Sequence, residues 1–159
     1  MAKPLVIILM GSKSDLEHSQ KIADGCNGYG IETVLRIGSA HKTAKHVLAL
    51  LQEYEAEPRP KVYITVAGRS NALSGFTDGL VSAPVIACPP FSEAFGGADV
   101  FSSLRMPSGI APAVVLEPAN AALLAAKILG LVDVEVRAAV SLSKKQAEEK
   151  IIQDDRTIA

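Results

Sequence analysis

Short β-rich runs alternate along this chain with stretches in which apolar residues recur at helical spacing. Each run is bounded by Gly or Pro, and the unbroken ones, such as LVIILM and KVYITVA, predict strands that are buried on both faces, as in parallel sheets. We therefore predict five strands, at residues 5–10, 32–37, 61–67, 85–88 and 113–116.

The intervening stretches predict helices. In the clearest of them Thr43 can cap a helix, and the apolar residues that follow at positions 47, 50, 51 and 54 share one face before Pro58 ends it. Ser14 and Asp15 offer caps for an earlier helix. The predicted helices span about residues 14–29, 43–57, 71–80, 119–129 and 132–155, and residues 91–109 predict a loop with a short helix.

Strictly alternating strands and helices predict an α/β fold, a three-layer α/β/α sandwich with a flavodoxin-like or Rossmann-like parallel sheet. We expect one domain over residues 1–159, with a core at about 5–130 and an extra C-terminal helix at about 132–155. That charged helix has apolar positions of its own. It packs either on a neighbouring subunit or on its own domain, and the sequence leaves both alternatives open.

The composition narrows the class of protein. The 159 residues are 48% hydrophobic and 21% charged, with 16 basic and 17 acidic side chains, as in ordinary soluble globular proteins. The charge balance excludes an electrostatic nucleic-acid binder. The sequence shows neither a convincing signal peptide nor a run of the roughly 18–20 apolar residues of a membrane helix, so a cytoplasmic location is expected. Cys26 and Cys88 form no CxxC pair and are predicted to be reduced core thiols.

Three polar loops follow the first three predicted strands and carry the candidate chemistry. They are GSKSD at residues 11–15, GSAHKT at 38–43 and AGRSN at 67–71. Ligands of open α/β sheets bind outside the carboxyl ends of the strands, so these loops are expected to lie together. Their Gly and Ser residues suit a bound anion, Lys42 and Arg69 supply positive charge, and Asp15 suits ribose hydroxyls.

His41 is the candidate general acid/base, because an imidazole with a pKa of about 6.5 exchanges protons near neutral pH. The alternatives stay open at this point: His41 as a charged residue at a helix entry, and GSKSD as a simple turn with a helix cap. His18 and His46 are predicted to be surface residues of helices. No Walker A, GxGxxG or GxSxG motif is present, and no side chain has metal-ligand spacing with His41, so no metal is expected.

Six motifs in order resemble the phosphoribosylaminoimidazole (AIR) carboxylase family of purine biosynthesis, over about residues 5–130. They are MGSKSD, GSAHKT, AGRSNALSG, ACPP, SSLRMPSG and NAALLAAKI. The family's class I, a mutase, typically carries SAHRTP and AGGAAHLPG, whereas class II typically carries SAHK and AGRSN. Lys42 and Arg69-Ser70-Asn71 make this chain similar to class II.

The resemblance implies a carboxy-lyase that reversibly carboxylates 5-aminoimidazole ribonucleotide (AIR) with carbon dioxide to 4-carboxy-5-aminoimidazole ribonucleotide (CAIR), without a cofactor or metal. It implies that His41 moves the proton on the ring carbon and that Lys42 pairs with the 5′-phosphate. It also implies a homo-oligomer, an octamer or a tetramer. The implied substrate-binding residues are Ser12, Asp15, Ser39, Lys42, Gly68, Arg69 and Ser70. The alternatives are a class I mutase acting on N5-carboxyaminoimidazole ribonucleotide and a non-catalytic nucleotide-binding module.

Overall fold

The β-rich runs form one five-stranded sheet in the computed structural model, which describes residues 3–158. The strands are Leu5–Met10 (β1), Glu32–Ile37 (β2), Lys61–Val66 (β3), Val85–Ala87 (β4) and Ala113–Val114 (β5). The α-helices are Leu16–Gly28 (α1), Ala44–Glu55 (α2), Ala72–Asp78 (α3), Phe101–Leu104 (α4), Pro118–Leu129 (α5) and Val134–Ile158 (α6). Two 3-10 segments, Lys13–Asp15 and Ala94–Val100, precede α1 and α4. The predicted elements are confirmed with small shifts at their ends.

All strand pairs are parallel, in the order β2-β1-β3-β4-β5. This is the order of flavodoxin-like sheets, so the predicted fold class is confirmed. Met10, the last residue of β1, lies opposite Ile37 of β2 and Val66 of β3. The carboxyl ends of these three strands are therefore level, and the three polar loops leave the sheet side by side.

Side chains of β1 alternate between two separate cores, as the period of two in a strand requires. Val6, Ile8 and Met10 pack in the core that contains α1, α5 and the first turns of α6. The intervening residues of β1 pack with α2 and α3 on the other face. Every residue of β1 is at most 1% exposed, which confirms the three-layer arrangement.

The C-terminal helix α6 divides into two halves with different surroundings. In its first half Val136 and Val140 are buried in the core beside α5, and the Tyr29 hydroxyl lies 3.4 Å from the Ser143 Oγ. In its second half Ile151 and Ile158 are 69% and 88% exposed. The first half therefore packs on its own domain, while an interaction of the second half with another subunit stays a prediction. No helix within residues 3–158 is both long enough and apolar enough to cross a membrane.

Candidate functional site

A cavity of about 530 Å³ opens where the three polar loops meet at the carboxyl edge of the sheet. It is bounded by the loop after β1, the loop before α2 and the loop before α3. All of the predicted site residues line it: Ser12, Asp15, Ser39, His41, Lys42, Gly68, Arg69 and Ser70. The prediction that these loops lie together is confirmed, while the roles of the individual residues stay predictions.

The loop after β1 is folded on the Asp15 carboxylate. Asp15 Oδ2 accepts hydrogen bonds from the Ser12 backbone N–H at 3.1 Å and from the Ser12 hydroxyl at 3.3 Å. Asp15 occupies a predicted cap position of α1, but its side chain turns back to Ser12 and makes no cap hydrogen bond. Since both bonds are made to Oδ2, the carboxylate keeps acceptor capacity for a ligand hydroxyl.

The loop before α2 is a tight turn closed by Ser39 and Thr43. The Thr43 backbone N–H donates to the Ser39 carbonyl at 2.8 Å, and the Ser39 N–H donates to the Thr43 Oγ1 at 2.9 Å. Thr43 occupies the predicted cap position of α2, but its hydroxyl serves Ser39 and makes no cap hydrogen bond. The Lys42 N–H donates to the Ser39 Oγ at 3.3 Å. The turn thus holds His41 and Lys42 with exposed side chains at the cavity.

The loop before α3 is held by a segment that sequence reasoning did not connect to it. The Arg69 N–H donates to the Asp99 carboxylate at 3.0 Å. The Ser102 hydroxyl lies 2.9 Å from the Arg69 carbonyl and 2.8 Å from the Asp99 carbonyl, which share its one proton. Asn71 also caps α3 by accepting a hydrogen bond from the Ser74 N–H at 3.2 Å. The only sequence signal for Ser102 was its place in the SSLRMPSG motif, and Asp99 carried none.

A second cavity of about 330 Å³ adjoins the first and shares Ala67, Gly68 and Arg69 with it. Residues 92, 96 and 97 line this second cavity, whereas Met106 and Pro107 line a separate cleft. Met106 and Pro107 follow α4 and line that cleft together with Ser70 and Asn71.

The electrostatics of the main cavity favour an anion. Within the described part of the chain, neither Lys42 nor Arg69 forms an ion pair with an acidic side chain. Lys42 and Arg69 can therefore both pair with an anionic ligand in this cavity, although the protein as a whole has a slight excess of acidic residues. Among residues 3–158 no three His, Cys, Asp or Glu side chains are grouped so that they could hold a metal ion.

His18 is not the surface residue that the sequence predicted. It is half-buried on the inner side of α1, and its Nε2 lies 3.4 Å from the Cys88 Sγ at the end of β4. Burial lowers the pKa of His18 and raises the pKa of Cys88 to about 12, so both groups are neutral near pH 7. Cys26 and Cys88 are buried free thiols, as predicted, and His46 is exposed, as predicted.

Known proteins share this sequence and this architecture. The family model described as AIR carboxylase matches residues 5–150. A phosphoribosylaminoimidazole carboxylase of Treponema denticola is 62% identical over 153 residues, which are 96% of this chain and 96% of that protein. A protein of the same name from Archaeoglobus fulgidus is 54% identical over 152 residues, which are 96% of this chain and 83% of that protein.

The likeness extends to the fold. The crystal structure of Treponema denticola PurE matches with a TM-score of 0.96 and 61% sequence identity, and the match covers 98% of both chains. The family match includes all three loops of the cavity and continues through the first half of α6 as far as residue 150. On these grounds, this chain belongs to the AIR carboxylase family.

Proposed function

We propose that this chain, an enzyme of the AIR carboxylase family, carboxylates AIR directly with carbon dioxide and forms CAIR in purine (IMP) biosynthesis. One observation carries the proposal: His41, Lys42 and the loop at Arg69 line a single cavity at the carboxyl edge of the sheet. The relatives named phosphoribosylaminoimidazole carboxylase support the same reaction.

The proposed substrate pose follows the charges of the cavity. Lys42 pairs with the 5′-phosphate, because an ammonium forms strong charge-assisted hydrogen bonds with phosphate oxygens. Ser12 and Asp15 bind the ribose and phosphate part of the nucleotide, with Asp15 accepting from ribose hydroxyls. Ser39 and the loop formed by Gly68, Arg69 and Ser70 border the imidazole ring and the incoming carboxylate.

The chemistry then needs one proton transfer. AIR is an electron-rich, enamine-like ring, and its nucleophilic carbon forms the new carbon–carbon bond with carbon dioxide. That carbon becomes tetrahedral and bears both a proton and the carboxylate. Neutral His41 removes the proton, the electron pair returns to the ring, and the imidazolium releases the proton to water. Atoms and charge balance without a metal or an energy cofactor, because the site supplies orientation and one base.

The substrate is tested by an ultraviolet assay of the purified protein. AIR with bicarbonate and carbon dioxide is expected to give CAIR, whereas N5-carboxyaminoimidazole ribonucleotide is expected not to be used directly. Lys42 and Arg69-Ser70-Asn71 favour this outcome because they match the class II pattern. Efficient use of the N5-carboxylated nucleotide would show that the protein is a mutase. If neither compound were turned over, the remaining alternative would be a non-catalytic nucleotide-binding module.

The role of His41 is tested by His41→Asn, which removes the base but keeps a polar side chain. We expect turnover to be abolished while nucleotide binding, measured by calorimetry, is largely retained. The matched control is His46→Asn, because His46 is an exposed histidine of α2 outside the cavity. Near-normal turnover by the His41 variant would disprove the assignment.

The role of Lys42 is tested by Lys42→Ala. Loss of a charged hydrogen bond costs about 1.5–3 kcal/mol, which corresponds to an increase of about 10–150-fold in the KM for AIR. Lys45→Ala is the matched control, since Lys45 is an exposed lysine one turn away that does not line the cavity. An unchanged KM in the Lys42 variant would place the phosphate elsewhere.

We also propose a homo-oligomer, an octamer or a tetramer, that works in the cytoplasm. Large apolar side chains that are mostly exposed in the isolated chain support the assembly, among them Phe91 at 85%, Phe95 at 87% and Ile158 at 88%. Two free buried thiols support a reducing compartment. Light scattering after size-exclusion chromatography measures the mass directly, and a monomer at micromolar concentration would contradict the assembly.

A further inference from the structure

Arg69 adopts a backbone conformation that is unfavourable for residues other than glycine. Its φ is +58°, and among the described residues other than glycine it shares a positive φ with Phe95. In this left-handed region the Cβ of an L-residue approaches the next carbonyl oxygen too closely. Such a conformation persists only where the surrounding structure holds it in place. Arg69 is therefore held by its neighbours.

Three consecutive peptide groups around Arg69 are fixed by two side chains of residues 94–104. The Asp99 carboxylate accepts from the N–H of Arg69, which belongs to the peptide before this residue. The Ser102 Oγ accepts from the Asn71 N–H at 3.0 Å. It lies 2.9 Å from the Arg69 carbonyl, which belongs to the next peptide, and 2.8 Å from the Asp99 carbonyl, and these two acceptors share its one proton. Fixing the two peptides that flank a residue fixes its φ and ψ. The bonds from the Arg69 and Asn71 N–H groups, together with the shared Ser102 hydroxyl contact, thus restrict the directions of the Arg69 and Ser70 side chains.

The segment that supplies these two side chains is itself anchored. The Asn71 side-chain amide donates to the Ser103 hydroxyl at 2.9 Å, and the two residues are 3% and 2% exposed. A satisfied hydrogen bond between two buried polar groups is costly to break. Ser103 therefore ties α4 to the start of α3, and this keeps Asp99 and Ser102 within reach of the loop.

We propose that Asp99 and Ser102 are positioning residues, which hold Arg69 in its left-handed conformation and so aim the Arg69–Ser70 loop at the reacting carbon. The inference rests on the proposed function, because it assigns this loop to the carboxylate end of the substrate. Lys42 and Ser12, which are proposed to hold the phosphate end, belong to other loops. Loss of the support should therefore change kcat far more than KM.

The first test compares Asp99→Ala with Asp99→Asn. The alanine variant loses the acceptor, and misplacement of a reacting-end loop is expected to lower kcat by about tenfold or more, with the KM for AIR within about threefold of wild type. The asparagine variant keeps a side-chain carbonyl and should retain at least about a third of the wild-type kcat. Glu93→Ala is the control, because Glu93 is an exposed acid of the same stretch that lines neither cavity.

Three results would overturn the inference: a normal kcat in Asp99→Ala, an equal loss in Asp99→Asn, or an equal loss in Glu93→Ala. The thermal unfolding midpoint of each variant checks that the fold is intact. Should the alanine variant unfold, Asp99→Asn and Ser102→Ala carry the comparison, and Ser102→Ala is expected to show the same kcat-specific loss.

A double-mutant cycle separates positioning from a general structural role. Arg69→Gly removes the guanidinium and lowers activity by itself, but glycine adopts a positive φ without help. In that background Asp99→Ala should lower kcat by less than about threefold further, because no disfavoured conformation is left to hold. A further loss as large as in the wild-type background would show that Asp99 acts by another route.

Amide hydrogen exchange follows the loop without any turnover. The Arg69 and Asn71 amides should be protected in the wild-type protein and should exchange faster in Asp99→Ala and Ser102→Ala, but not in Glu93→Ala. If these amides exchanged rapidly in the wild-type protein, the inference that Asp99 and Ser102 hold the loop would be overturned. If the wild type does not carboxylate AIR but these amides respond as expected, the proposed function and the kcat effect fail while the structural support stands.

Discussion

Gly38 ends β2 and begins the loop that carries Ser39, His41 and Lys42. Its N–H donates to the Met10 carbonyl at 2.9 Å, so its backbone is tied to β1. A Cβ added here would lie 2.7 Å from the Val47 Cγ2, closer than packed carbon atoms approach. We expect Gly38→Ala to destabilise the fold and to displace the loop that follows.

The magnitude follows from the stiffness of the neighbour. Val47 is 0% exposed and belongs to α2, where a β-branched side chain has one strongly preferred rotamer and cannot turn aside. The extra methyl group must therefore move backbone, and overpacking of this kind costs about 1–3 kcal/mol. For a chain of this length each kcal/mol lowers Tm by about 2–4 °C. The KM for AIR should rise as well, because His41 and Lys42 are carried by the displaced loop.

Urea unfolding at constant m measures the change in the free energy of unfolding. The double variant Gly38→Ala/Val47→Ala provides the control, because truncating Val47 removes the atom that the new methyl group meets. The two changes should then be less destabilising together than the sum of the single variants, by about 1 kcal/mol or more. Strict additivity, or a stability of Gly38→Ala within about 0.5 kcal/mol of wild type, would refute this packing account.

Two further predictions concern α1. Gly25→Ala should destabilise the protein by about 1–2 kcal/mol, because its Cβ would lie 2.8 Å from the Ala122 Cβ of α5. In contrast, a Cβ added at Gly28 meets nothing within 4 Å, so Gly28→Ala should stabilise the protein by up to about 1 kcal/mol. If urea unfolding showed both variants to change the free energy of unfolding in the same direction, these two predictions would be contradicted. Burial beside Cys88 lowers the pKa of His18. Below about pH 6.5 His18 is therefore more fully protonated in the unfolded chain than in the folded chain, and protonation favours unfolding. The free energy of unfolding should keep its full His18 contribution above about pH 7 and should fall as the pH drops through 6.5 towards the lowered pKa. If the free energy of unfolding of His18→Gln had the same pH dependence as that of the wild type, this prediction would be contradicted.

The sequence by itself determined the layers of the fold and the place of the site. Unbroken apolar runs such as residues 5–10 specify strands that are buried on both faces, and such strands pack in parallel sheets between helices. Since the carboxyl ends of parallel strands share one edge, the loops with Asp15, His41 and Arg69 had to lie near each other. Local spacing was enough for these conclusions because they depend on the period of the strand and on chain direction.

Only the tertiary structure decided which distant side chains support the site. Asp99 reaches Arg69 from 30 positions along the chain, and His18 meets Cys88 across 70 positions. Both contacts arise because separate segments dock on the same sheet edge, and no local pattern of residues records that docking. The positive φ of Arg69 was hidden for the same reason. An arginine has no preference for that conformation, so its cause lies in the hydrogen bonds of the folded chain rather than in the residue itself.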